Sequence, residues 1–413
     1  MVSCMTTYNF DKIINRKGTN CLKYDFAVER GKPADVLPLW VADMDFPVSE
    51  EITKSLHAAV DHGIYGYTQP KDAYYNAVMN WMEKNHNWKT EREWIVKTPG
   101  VVFALGAAVK AFTEPGDAVL IQNPVYYPFT NIIRDNDRKV IDNTLVYEKT
   151  SAQEIDEKVV EKAQYRIDYE DFERKIEQEN VKLFILCNPH NPVGRVWTAE
   201  ELQKLGEICL RHHVIVVSDE IHNDFVYPGY EHTVFANVDP RFAEFTVTCT
   251  APSKTFNLAG LQISNIFIPN EKLRKAFQTE IDKTGYDEPN ALGIVACEAA
   301  YRAGEDWLDQ LREYLLGNLN FLRSYLQEKI PQIHLVEPEG TYLVWLDCSE
   351  LGITGKELDQ FIVDKARLWL DGGSMFGPSG AAFQRVNIAC PQATLELALN
   401  KLKAAVDSLD SLK

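Results

Sequence analysis

Lys254 stands in the stretch "CTAPSKTFNLAGLQISN" (249–265), and the nearest acids in sequence are Glu244 and Glu271. An ammonium without a nearby counter-charge, just past an apolar run and between Ser253 and Thr255, is set up to lose its proton. Desolvation lowers a lysine's pKa, and the neutral amine forms Schiff bases with carbonyl compounds. A lysine that snorkels to the surface is the plainer reading of the same residue.

Other groups with chemical potential recur at comparable places. Asp219 and Glu220 close "HVIVVSDE" (213–220); an acid there either caps the next helix or pairs with a protonated pyridine nitrogen. "NPHNPVGRVW" (188–197) holds two Asn-Pro pairs and a glycine. That composition makes a turn-rich loop whose Asn amides can bind a ligand or simply shape the turn. In "KTPGVVFALGAAVKAF" (97–112) a Pro-Gly turn opens an apolar helix, and the first N–H groups of such a helix suit a phosphate. "NPVYYPF" (123–129) follows an apolar run with aromatics, which either cover a planar ring or join the core.

The elements that must position these groups are legible as alternating strands and helices. "DAVLIQNP" (117–124), "VKLFILCNP" (181–189), "HVIVVSDE" and "FTVTCTAPS" (245–253) are continuous apolar runs ending in polar or turn residues, the pattern of parallel strands covered on both faces. Between them lies "TAEELQKLGEICLRH" (198–212), in which Thr198 and Glu201 can form a capping box. The alternation predicts an α/β domain with a mainly parallel sheet, whose ligands bind beyond the carboxyl ends of the strands. From about residue 291 long helical patterns come first, then short strands at "GTYLVWLD" and "RVNIAC", then a closing helix. We expect three parts: an N-terminal segment (1–45) packing with the small domain, a large α/β domain (46–290) and a small C-terminal α+β domain (291–413). The charged stretch 147–179 is expected to be a solvated insertion leading into a helix.

Composition bounds the partners. The 413 residues are 45% hydrophobic and 25% charged, as in an ordinary globular protein long enough for more than one domain. A net charge of −17 argues against nucleic-acid and anionic-membrane partners, which select basic surfaces. Eight cysteines (Cys4, Cys21, Cys187, Cys209, Cys249, Cys297, Cys348, Cys390) show no zinc-site spacing, so buried reduced thiols and no metal are expected. The N-terminus lacks an apolar signal region, and no run reaches the roughly 18 apolar residues of a membrane span. A cytoplasmic location is the expectation.

The groups become specific through their order: a helix-start phosphate site, then Tyr126, Asn191, Asp219 and Lys254. That succession resembles the fold-type I pyridoxal 5'-phosphate (PLP) enzymes of the aspartate aminotransferase superfamily. "LPLWVADMDFP", "YGYT", "NPHNPVGRVW", "SDEIHNDF", "SKTFNLAGLQ" and "FQRVNIACP" narrow the resemblance to the MalY/PatB branch, the cystathionine (cysteine-S-conjugate) β-lyases. The resemblance implies the type I PLP-dependent transferase fold and a homodimer with a shared active site. It implies that Lys254 carries PLP as a Schiff base, Asp219 pairs with the pyridine nitrogen, Asn191 binds the ring hydroxyl and Tyr126 stacks on the ring, with His222 alongside. The backbone of Val101 and Val102, with Ser253, would hold the phosphate. Tyr67 would reach the neighbouring subunit's phosphate or substrate, and Arg385 would clamp the α-carboxylate of a small amino-acid substrate. The "WVADMDF" loop, with Asp43, and the strand of Tyr342 would line the side-chain pocket.

Two departures from the aminotransferase pattern point toward elimination. His222 stands where many aminotransferases have tyrosine, and Gln262 where they have a phosphate-binding arginine. The expected reaction is α,β-elimination of cystathionine or another S-substituted cysteine to a thiol, pyruvate and ammonia. An aminotransferase on the same fold is the second reading, and a regulatory protein that retains PLP is the third. Intact Lys254, Asp219 and Arg385 argue against the third.

Overall fold

The computed structural model describes the backbone of residues 7–155 and 158–410, and their side chains apart from 150–162 and 410. Its large sheet contains β1 (Ile95–Thr98), β2 (Ala118–Ile121), β3 (Lys139–Asp142), β4 (Leu183–Cys187), β5 (Ile215–Asp219), β6 (Thr246–Thr250) and β7 (Ser264–Phe267). The order across the sheet is β1-β7-β6-β5-β4-β2-β3. β7 runs antiparallel to both neighbours and all other pairs are parallel. The four apolar runs anticipated as strands are β2, β4, β5 and β6. Every residue of β2, β4 and β6 is buried, as expected where helices cover both faces of a sheet. Register sets Cys187, Asp219 and Cys249 side by side at the carboxyl ends of β4, β5 and β6.

The helix Ala199–Arg211 starts on the anticipated capping box, with Thr198 and Glu201 each bonding the other's backbone. The second sheet comprises β8 (His334–Val336), β9 (Leu343–Asp347), β10 (Asp371–Gly372) and β11 (Phe383–Asn387), ordered β8-β9-β11-β10 and antiparallel throughout. The helices Glu305–Lys329 and Gln392–Asp410 accompany it, whereas Ala291–Ala303 packs against the helices Glu50–His62 and Asp72–His86. Leu37–Pro38 adds a short parallel pair with Leu368–Trp369, which ties the early chain to the C-terminal part.

Gly194 explains why the Asn191 loop is glycine-containing. It adopts φ +74°, and a Cβ there would lie 2.8 Å from Pro338. Its carbonyl accepts the N–H groups of Glu339 (2.8 Å) and Gly340 (3.0 Å), so the loop is seated on the approach to β9.

The charged stretch differs from expectation. It is a hairpin, Val146–Ile155 with Lys158–Arg166, leading into the helix Tyr169–Glu179. Burial alternates along Ala163, Tyr165 and Ile167, and Tyr165 is 1% exposed, accepting from the Trp345 indole at 3.2 Å. Abundant charges concealed a period-two apolar alternation that anchors the base of the hairpin. The described cysteines are free, all buried except the half-buried Cys21, while Cys4 lies outside the described residues. No helix among the described residues is long and apolar enough to cross a membrane.

Candidate active site

Lys254 sits on the one-turn helix Pro252–Thr255 that follows β6 directly, with Pro252 at its start. The half-buried Nζ donates to the Ala42 carbonyl at 3.0 Å rather than to a carboxylate. Burial, and then the nearby Arg385, lower its pKa to about 8, while Asp43 and Asp219 oppose the shift. The turn is locked from behind. Thr255 Oγ1 donates to Asp224 Oδ2 at 2.6 Å, and Asp224 Oδ1 pairs with Trp81 Nε1 and His86 Nε2, each at 3.0 Å. Asn257 Nδ2 donates to the carbonyls of Met44 and Phe46, both at 3.0 Å.

Asp219 ends β5 with 5% exposure, and its Oδ1 accepts the Ile221 N–H at 3.2 Å. Burial pushes its pKa up to about 7, against the pull of that N–H and of Lys254. The His222 ring lies edge-on to Tyr342 with centroids 5.8 Å apart, and its buried Nδ1 has no partner among the described residues. Burial and the cations Lys254 and Arg385 hold His222 well below the ordinary histidine range, so its imidazole is neutral.

Arg385 projects from β11 and is buried. Nη1 donates to Asn191 Oδ1 at 3.0 Å, and Nη2 donates to the Trp40 carbonyl at 2.8 Å and to Asp371 Oδ2. The guanidinium also lies 4.9 Å from the centroid of the Phe376 ring. Asn191 and Arg385, 194 residues apart, are thereby brought together. Asp371 is a site residue that sequence reasoning missed. Its only signal was an acid inside the apolar run before "GGSMFG".

Loop 39–46 is read at its carbonyls. Trp40 O accepts from Arg385, Val41 O and Asp43 O from Asn387, and Ala42 O from both Lys254 and Tyr342. Its acids are held by the N-terminal segment. The Asp43 carboxylate is held by Arg16 at 2.6 and 3.2 Å. Asp45 accepts from Arg16 (2.7 Å), Lys23 (3.1 Å) and Tyr24 (2.8 Å). Asp43 is therefore part of an ion-pair clasp with the N-terminal segment and only half-exposed.

The helix Val101–Phe112 begins after Gly100 with no side-chain cap, leaving its first N–H groups available to a ligand. Val101 is buried in one cluster with Cys187, Cys249 and Ala251, and Tyr126 packs against that cluster; Ser253 is half-buried two residues on. Burial raises the Tyr126 pKa well above the usual tyrosine range. Tyr67 is not brought to the site within this chain: it is 95% exposed, with Tyr65 60% exposed beside it. Gln262 is exposed too, with φ +50°.

Known proteins resemble this chain along nearly its whole length. Residues 34–402 match the model of the aminotransferase class I and II family. The chain is 46% identical over 398 residues to cystathionine beta-lyase PatB of Bacillus subtilis (strain 168), covering 96% of this chain and 100% of the relative. It is 31% identical to protein MalY of Escherichia coli (strain K12), covering 94% and 96%. Among solved structures, cystalysin from Treponema denticola, which contains a pyridoxal 5'-phosphate cofactor, superposes with a TM-score of 0.90 at 38% identity, covering 98% of this chain and 100% of that one. A lysine after a central strand, a buried acid ending the adjacent strand and an asparagine-held arginine thus lie in a chain that belongs to the aminotransferase class I and II family, in its cystathionine β-lyase branch.

Proposed function

We propose that the protein is a PLP-dependent carbon–sulfur lyase. It eliminates a thiol from cystathionine or another S-substituted cysteine and, with one water, releases pyruvate and ammonia. The observation that carries this reading is Asp219, a buried carboxylate whose hydrogen bond, among the described residues, is to a single backbone N–H. A carboxylate this desolvated is short of positive charge, and a protonated pyridine nitrogen supplies it. The uncapped helix start at Val101 and Val102, with Ser253, suits the phosphate. Asn191 suits the ring hydroxyl, and Tyr126 suits the ring face. When bound, PLP accepts the electron pair released at Cα, so that the Cβ–S bond can break.

The chain's own residues supply binding and proton transfer. Arg385 holds the substrate α-carboxylate and fixes which Cα bond faces the lysine. Lys254 would hold the cofactor and, as a neutral amine, take the Cα proton; a pKa of about 8 leaves an appreciable neutral fraction near neutral pH. Asp219 keeps the pyridine nitrogen protonated. His222, neutral and packed edge-on to Tyr342, shapes the pocket without adding charge, and Asp43 acts on the site through the clasp.

The same reading has the enzyme working as a homodimer. Ile64, Tyr65 and Tyr67 are 74%, 60% and 95% exposed, an apolar and aromatic run suited to a second copy's site. Tyr67 would there reach phosphate or substrate. Mixed dimers of Lys254→Ala and Tyr67→Phe chains should then regain activity that neither variant has alone.

The test is a thiol-and-pyruvate assay with cystathionine, cystine and S-alkyl cysteines. The wild-type protein should release both products, and Lys254→Ala neither. Pyruvate release by Lys254→Ala, or amino exchange without thiol release by the wild type, would sink the reading.

A further inference from the structure

Arg385 is already neutralised before any substrate arrives. Asp371 faces it in direct register across the β10–β11 pair and accepts from Nη2. The other Nη2 proton goes to the Trp40 carbonyl at 2.8 Å, and Nη1 donates to Asn191 at 3.0 Å. A guanidinium offers a carboxylate two bidentate forks, Nη1 with Nη2 and Nε with Nη2. Both forks need an Nη2 proton, and both Nη2 protons are taken. The buried Nε meanwhile has no partner among the described residues. An incoming α-carboxylate therefore cannot bind bidentately without displacing something.

We infer that Asp371 is a resident counter-carboxylate, displaced from Nη2 by the substrate's α-carboxylate, and that it thereby sets the affinity for carboxylate-bearing substrates. The inference rests on the reading of Arg385 as the carboxylate clamp. Of the two Nη2 acceptors, Trp40 belongs to the loop pinned at Val41, Ala42 and Asp43, so its carbonyl has little freedom to leave. Asp371 has somewhere to go. It lines a cavity of about 250 Å³ whose wall also carries Arg30, Lys32 and Tyr127. Asp359 lines the same cavity, is held by Gln384 at 2.7 Å, and adds like charge beside Asp371. The device trades affinity for a buried arginine that is never left unpaired.

The test uses holoenzyme and the cofactor's absorbance band. Wild type and Asp371→Asn are titrated with L-alanine, which has no leaving group at Cβ, and with ethylamine, its decarboxylated counterpart. Removing the competing charge should lower the alanine Kd about tenfold, equivalent to 1.4 kcal/mol, and leave the ethylamine Kd unchanged. An alanine Kd that is unchanged or raised overturns the inference, since a residue that only holds Arg385 in place would weaken alanine binding when altered. Asp371→Ser serves the same comparison should the asparagine variant fail to fold. Arg385→Met separates the underlying reading. Loss of the wild-type preference for alanine over ethylamine supports the clamp, whereas a preserved preference refutes it and the inference together.

Discussion

Lys254 and Tyr342 donate to the same oxygen: the Ala42 carbonyl accepts Lys254 Nζ at 3.0 Å and Tyr342 Oη at 2.9 Å. One carbonyl thus joins the end of β6, the start of β9 and the N-terminal loop. Because it is shared, it holds the ammonium form of Lys254 less strongly than an undivided acceptor would.

Tyr342→Phe should therefore raise the Lys254 pKa. A hydrogen bond of this kind is worth about 1 kcal/mol, so elimination at pH 7 should fall by about fivefold, and the acidic limb of the rate profile should move to higher pH. A pH series of kcat checks both, and an unmoved limb counts against the sharing.

Asp219 predicts the pH dependence of the cofactor-free fold. Its pKa rises from 3.8 in the reference state to about 7 in the folded chain, so the folded state binds the extra proton between those values. Its contribution to stability is complete below pH 3.8 and is lost as pH rises through about 7. The loss is about 1.4 kcal/mol per pH unit. Thermal melts of the cofactor-free protein should show Asp219→Asn gaining on the wild type from pH 5 to pH 8. A constant difference between the two would remove Asp219 as the source.

Asp224 is buried and takes donors from Trp81, His86 and Thr255. Asp224→Ala removes both acceptor oxygens and leaves the donors of Trp81, His86 and Thr255 without them. It should cost about 3 kcal/mol, read as a lower denaturation midpoint, and it should loosen the turn that carries Lys254. A loss under about 1 kcal/mol would mean the network is dispensable.

The N-terminal clasp offers a double-variant test. Lys23 is 0% exposed and pairs with Asp45 at 3.1 Å, its other carboxylate being Asp43 at 3.8 Å. Asp45→Asn should destabilise by about 3 kcal/mol and expose the early chain to proteases, because it leaves a buried ammonium with only the more distant Asp43 carboxylate. Lys23→Met combined with Asp45→Asn should recover part of that loss, the amide oxygen still serving Arg16 or Tyr24. Equal damage in the single and double variants would show that charge pairing is not what matters there.

Much of this molecule is local and was legible. The apolar runs of β2, β4, β5 and β6, the Thr198–Glu201 box and the helix after Gly100 follow from periodicity and turn chemistry, which need no knowledge of distant residues. Lys254, Asp219 and Asn191 were legible because each follows or ends a buried strand, where an α/β sheet presents its ligand groups. The hairpin at 146–166 was obscured because charged residues outnumber the apolar ones that anchor it.

By itself the sequence determined the α/β architecture, the order of the polar strand ends and the candidates for the chemistry. Only the tertiary structure decided how those residues are paired. The Arg385–Asp371 pair depends on the β10–β11 register, and Asp224 meets Trp81 across 143 residues. The shared acceptor at Ala42 is a backbone oxygen, identical in every residue type. Hydrophobic periodicity acts over a few residues and marks itself in the chain. A buried polar group must find its partner wherever packing places one, and that is settled only when the elements meet.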